Sequence, residues 1–113
     1  MKQTFSLTFI PPTVNTMIPT VNGRRVKSET YKAWRATAAW EIKAQRPLVF
    51  EGPVSVTIEM KRPNRPCDVD NRIKGALDVL SGLAYRDDAQ VHRVTAGWAG
   101  GLDGARITIE TMG

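Results

Sequence analysis

The stretch VSVTIEMKRPNRPCDVDNRIKGALDVLSGLAYRDDAQVHRVTAGW, residues 54–98, decides how this chain is built. It opens by alternating, with Val54, Val56, Ile58 and Met60 on one side of the backbone and Ser55, Thr57 and Glu59 on the other. A period of two is that of a strand with one buried face. The segment RPNRPCD that follows carries two prolines and two arginines, too stiff and polar for core. From Asp70 the period changes. Ile73, Leu77 and Leu80 recur at i, i+4 and i+7, which predicts a helix over 70–83 with Gly82 as its stop signal. QVHRVTAGW, residues 90–98, predicts another strand.

Outward from there the same patterns repeat. GARITIET (104–111), beyond the turn AGGLDG, predicts a closing strand, and KQTFSLTFI (2–10) predicts an opening one through Phe5, Leu7 and Phe9, stopped by Pro11-Pro12. TVNTMIPTVNGRRVK (13–27) holds Asn15, Pro19 and Asn22-Gly23, which predicts a loop with a short hairpin. SETYKAWRATAAWEIKAQ (28–45) starts with the N-cap residue Ser28 and places Tyr31, Trp34, Ala38 and Ile42 at helical spacing. Arg46-Pro47 closes that helix. The expected fold is α+β, a small mixed sheet with two helices packed on one face, in a single domain over 1–113.

Composition narrows the function classes. Of the 113 residues, 42% are hydrophobic and 24% charged, an ordinary globular balance. Sixteen Lys and Arg against eleven acids give +5, which favours a polyanionic partner, nucleic acid ahead of a membrane. The single cysteine, Cys67, excludes an intrachain disulfide and a CxxC metal site. MKQTFSLTFIPP has too short an apolar run for a signal peptide, and no stretch has bilayer-spanning length, so a reducing cytoplasm is expected.

The chemistry is concentrated in CDVDNRIKGALDVLSGLAYRDDAQV (67–91). Asp68 and Asp70 are i and i+2 of an extended segment, which lets both carboxylates face one way. Lys74 lies one helical turn after Asp70, and Asp87-Asp88 follows on the loop after the helix. Phosphodiester hydrolysis uses a hard cation held by carboxylates, and a lysine beside it can offset charge. The ordinary readings stand alongside: an aspartate at a helix start as N-cap, Asp70 to Lys74 as an i,i+4 ion pair, and Asp87-Asp88 as solvated surface.

The run DVDNRIKGALDVLSGLAYRDDAQV resembles the signature of RusA-type Holliday junction resolvases, small endonucleases carried largely by phages and prophages. Its pattern, D-x-D-N-x-x-K, then an apolar helix with a further Asp, then D-D-x-Q and an apolar residue, is matched by Asp68, Asp70, Asn71, Lys74, Asp78, Asp87, Asp88, Gln90 and Val91. The opening strand with Pro11, Pro12 and Asn15 is similar too. The resemblance implies a homodimer that resolves four-way DNA junctions by paired nicking. It also implies Mg²⁺ (or Mn²⁺) held by Asp68, Asp70 and Asp88, with Asp70 and Lys74 as catalytic residues. Neither a small-molecule cofactor nor a membrane is expected. Where one member of that family carries a basic residue before D-x-D this chain has Cys67, and where it carries another after the early asparagine this chain has Thr16. The alternatives are a non-cleaving branched-DNA-binding module or a metal nuclease for other DNA structures.

Two basic stretches offer phosphate contacts: Arg24, Arg25, Lys27, Lys32 and Arg35, and Lys61, Arg62, Arg65 and Arg72. The residues singled out for nucleic acid are Asn15, Arg24, Arg25, Lys27 and Arg72. Trp34, Trp40 and Tyr85 read as packing residues before stacking ones, and His92 as a strand residue.

Overall fold

The computed structural model describes residues 1–13, 20–21, 24–25 and 28–113. Its main sheet has four strands, β1 (Lys2–Leu7), β4 (Val54–Met60), β5 (Val91–Trp98) and β6 (Ala105–Thr111), in the order β1-β6-β4-β5. Strands β1 and β4 run antiparallel to β6, whereas β5 runs parallel to β4. A parallel neighbour needs a crossover. Residues 61–90 supply it, through the helix α2 (Ile73–Leu80). The remaining helix is α1 (Glu29–Ala44), and the expected hairpin is present as β2 (Thr20–Val21) paired with β3 (Arg24–Arg25).

Alternation translates directly into burial. Val54, Val56, Ile58 and Met60 of β4 join Phe5, Leu7, Ile107 and Ile109 in one core with Tyr31, Trp34, Ala38 and Ile42 of α1 and Ala76, Val79 and Leu80 of α2. The opposite face of the sheet is polar. There Thr4 and Thr108 meet through their hydroxyls (3.1 Å), and Arg106 donates twice to Glu59, at 3.0 and 3.1 Å. Those bonds hold the Glu59 carboxyl below its ordinary range. This is the α+β mixed sheet with two helices that the pattern predicts.

Ser28 caps α1, its hydroxyl accepting from the Tyr31 N–H at 3.0 Å. The far end of α1 covers the free edge of β1. Gln45 donates to the Ser6 carbonyl (2.8 Å) and accepts from the Ser6 N–H (2.9 Å), Glu41 accepts from the Thr8 hydroxyl (2.6 Å), and Trp34 Nε1 donates to the Phe9 carbonyl (3.3 Å). Side chains thus satisfy an edge that would otherwise invite another strand. They also take the chain out of the sheet at Leu7, three residues before the expected end.

The second helix is shorter than its apolar period suggests. Asp70–Arg72 is a 3₁₀ turn, and α2 stops at Leu80 because Ser81 is extended and Gly82 takes a positive φ of 86°. The Gly82 N–H donates to the Tyr85 carbonyl (2.7 Å), folding residues 81–85 back on the helix end. Ala84 and Tyr85 are buried by this turn. Burying a tyrosine outweighs another turn of helix.

Candidate metal and nucleic-acid site

The expected site residues lie along the crossover, before and after α2. Asp68 and Asp70 are exposed on the segment leading into the helix. Lys74 is half exposed on α2, 3.7 Å from Asp78 Oδ1, an i,i+4 pair. Asp88 opens a second 3₁₀ turn, Asp88–Gln90, just beyond α2.

That second turn is held rigidly. Asp87 caps it, accepting from the Ala89 N–H at 2.9 Å, and Gln90 Oε1 accepts from the Arg86 N–H at 2.8 Å. Gln90 Nε2 donates to the carbonyls of Phe50 (2.9 Å) and Gly52 (3.0 Å). The D-D-x-Q run is therefore a capping box fastened to the segment just before β4, and its first aspartate is occupied in the cap. The second is left to project. Capping-box spacing was legible in the sequence; the Gln90 clamp on Phe50 and Gly52, about forty residues away, was not.

Asp88 Oδ1 lies 3.3 Å from the Tyr85 hydroxyl, which also reaches the Leu77 carbonyl at 3.0 Å. Partial burial raises the Asp88 carboxyl above its ordinary value; the Tyr85 hydrogen bond works against this, Asp78 adds to it, and Lys74 opposes it. Burial, then the Asp88 charge, pushes the Tyr85 phenol far up, so it stays neutral. Lys74, Asp78, Tyr85 and Asp88 form one electrostatic group.

Asp68 and Asp70 are not drawn into it as a ready-made nest: among the described residues no three His, Cys, Asp or Glu side chains are gathered to hold a metal ion. The donors themselves suit a hard divalent cation, being exposed carboxylates with oxygen ligands to offer.

Arg72, expected to meet phosphate, is placed elsewhere. It is only 4% exposed, and its Nη1 donates to the Pro11 carbonyl at 2.7 Å while Nε has no partner among the described residues. It pins the Pro11-Pro12 segment to the start of the crossover helix. Asn15 and Lys27 lie outside the described residues, as do the side chains of Arg24 and Arg25. Lys61, Arg62 and Arg65 are exposed, Trp34 is buried, and Trp40 is exposed. Tyr85 is a core residue, and His92 lies exposed on β5.

The family model described as endodeoxyribonuclease RusA matches residues 9–111, nearly the whole chain. No curated protein matches it. The chain belongs to the RusA endodeoxyribonuclease family, whose enzymes are divalent-metal-dependent endonucleases that resolve crossover junctions in DNA.

Proposed function

We propose that this RusA-family chain nicks four-way DNA junctions with Mg²⁺ as its working cation, held by Asp68, Asp70 and Asp88. Mn²⁺ is the natural substitute, since it accepts the same oxygen donors. The observation that carries the reading is the intact D-x-D-N-x-x-K and D-D-x-Q series at Asp68 to Gln90, inside the family-matched region. When bound, the cation polarises a phosphate oxygen and lowers the pKa of an attacking water.

The chain's own residues do the rest. Asp70, at the head of the crossover helix, and Asp88, beyond its end, bring carboxylates to the substrate from both sides of α2. Lys74, tethered among the described residues by a 3.7 Å pair to Asp78, can turn toward phosphate and offset charge that builds on its oxygens as water attacks phosphorus and a P–O bond breaks. The buried Tyr85 limits the swing of Asp88. Resolution needs two nicks on opposed strands, so the working unit is a homodimer with one site per chain, acting in the cytoplasm of a bacterial or phage-infected cell.

The test is cleavage of a synthetic four-way junction beside a matched linear duplex, with Mg²⁺ and with EDTA. Paired metal-dependent nicks in the junction, lost in Asp70→Asn while junction binding persists, are expected. An Asp70→Asn protein that cuts at a comparable rate would sink the ligand assignment. Equal cutting of junction and duplex would remove the junction preference and leave a metal nuclease for other DNA.

A further inference from the structure

Lys61 and Arg62 leave the end of β4 side by side, exposed, and neither has an ion-pair partner among the described residues. A cleft opens on each side of them. The first, about 380 Å³, is walled by Trp98, Ala99, Gly100, Gly101 and Leu102. The second, about 450 Å³, is walled by Thr8, Phe9, Ile10, Pro63, Asn64 and Asp103. Each cleft thus has one aromatic residue in its wall beside the same pair of cations: exposed Phe9 in the second and, in the first, Trp98, which is half-buried and also packs on the core.

The frame around these clefts is fixed. The Lys61 N–H donates to the Gly104 carbonyl (2.8 Å) and the Ala99 N–H to the Met60 carbonyl (2.9 Å). Gly104 is packed so closely on β1 that a Cβ there would run into the carbonyls of Leu7 and Thr8. Phe9 has its carbonyl held by Trp34 Nε1, yet its side chain is 58% exposed. The Phe9 ring is thus presented to solvent from a held backbone position, in the wall of the second cleft beside Lys61 and Arg62.

We propose that the two clefts receive unstacked bases of the DNA substrate, one against Phe9 and one against Trp98, with the connecting phosphates on Lys61 and Arg62. Aromatic platforms beside a cationic track are how proteins hold DNA whose bases are not paired in a duplex. The cations choose the occupant: with no carboxylate ion-paired to them among the described residues, Lys61 and Arg62 are left to meet phosphate. Asp103 repels phosphate from its own side of the second cleft and can accept from a base N–H. Only residues 63–67 separate Arg62 from Asp68 along the chain, so a strand gripped here lies on the same connection as the proposed carboxylates. This inference rests on the family activity and adds where the substrate's exposed bases are held.

The experiment uses the full chain and a four-way junction carrying 2-aminopurine at the crossover, with EDTA for binding and Mg²⁺ for cutting. Phe9→Leu keeps an apolar side chain and removes the ring, whereas Phe9→Trp restores one. Phe9→Leu is expected to weaken junction binding about tenfold and abolish the rise in 2-aminopurine fluorescence, and Phe9→Trp to recover both. The salt dependence of binding should be unchanged in Phe9→Leu and should fall by about one in Lys61→Gln or Arg62→Gln. A Phe9→Leu protein that binds and reports like the parent, while the parent cuts the junction, overturns the clefts and leaves the nuclease. A change of oligomeric state in Phe9→Leu by light scattering, with DNA binding intact, overturns it in favour of a subunit contact. A parent protein that neither binds nor cuts the junction overturns both readings.

Discussion

The phenolic oxygen of Tyr85 lies 3.3 Å from Oδ1 of Asp88 and 3.0 Å from the carbonyl oxygen of Leu77. A phenol has one proton and here two acceptors, so it links the end of α2 to the aspartate beyond it. Tyr85 itself is 1% exposed, which makes the linkage a property of the core.

Removing the hydroxyl alone, in Tyr85→Phe, should cost about 1 kcal/mol of stability, the worth of one net hydrogen bond. Tyr85→Ala should cost about 3–5 kcal/mol, because the ring's cavity is added. Urea denaturation measures both. If the hydroxyl also restrains Asp88, Tyr85→Phe should bind Mg²⁺ more weakly in a calorimetric titration without DNA; an unchanged affinity would make it a packing residue only.

Asp88 sets a pH dependence. Its carboxyl is raised in the folded protein, chiefly by burial, so between its ordinary value and the raised one the folded state binds more proton than the unfolded state. Stability therefore falls as pH rises through that window. In EDTA, Asp88→Asn should be more stable than the parent at neutral pH and lack this fall. Adding Mg²⁺ should stabilise the parent more than the variant, read from denaturation midpoints.

Arg72 separates burial from DNA contact. With its guanidinium buried and no carboxylate partner among the described residues, Arg72→Met should cost about 1–3 kcal/mol because the Pro11 carbonyl loses its donor, and Arg72→Ala more than that because volume is lost too. Neither should alter the salt slope of junction binding, in contrast to Lys61→Gln. A slope reduced by about one in Arg72→Met would mean that the side chain emerges to meet phosphate.

Gly104 is a close-approach position. Gly104→Ala forces a methyl group toward the Leu7 and Thr8 carbonyls, and backbone has little room to yield. A loss of at least about 1–3 kcal/mol is expected, with the amide signals of Thr8, Phe9 and Lys61 shifting together in NMR spectra.

The sequence by itself determined what depends on local period. Alternation in 54–60 and 105–111 named the buried face of each strand, and the spacing of Tyr31, Trp34, Ala38 and Ile42 named the buried side of α1, because side-chain direction repeats every two or 3.6 residues whatever lies opposite. The acidic series was legible for a similar reason: its residues occur in register within two dozen positions. Tertiary structure decided what depends on partners far along the chain. The parallel pairing of β5 on β4, the burial of Arg72 against Pro11, the Gln90 clamp on Phe50 and Gly52, and the outward turn of Phe9 all join or part segments remote in sequence. A charge or ring is buried only where its new neighbours offset the loss of water, and no local pattern states who those neighbours are.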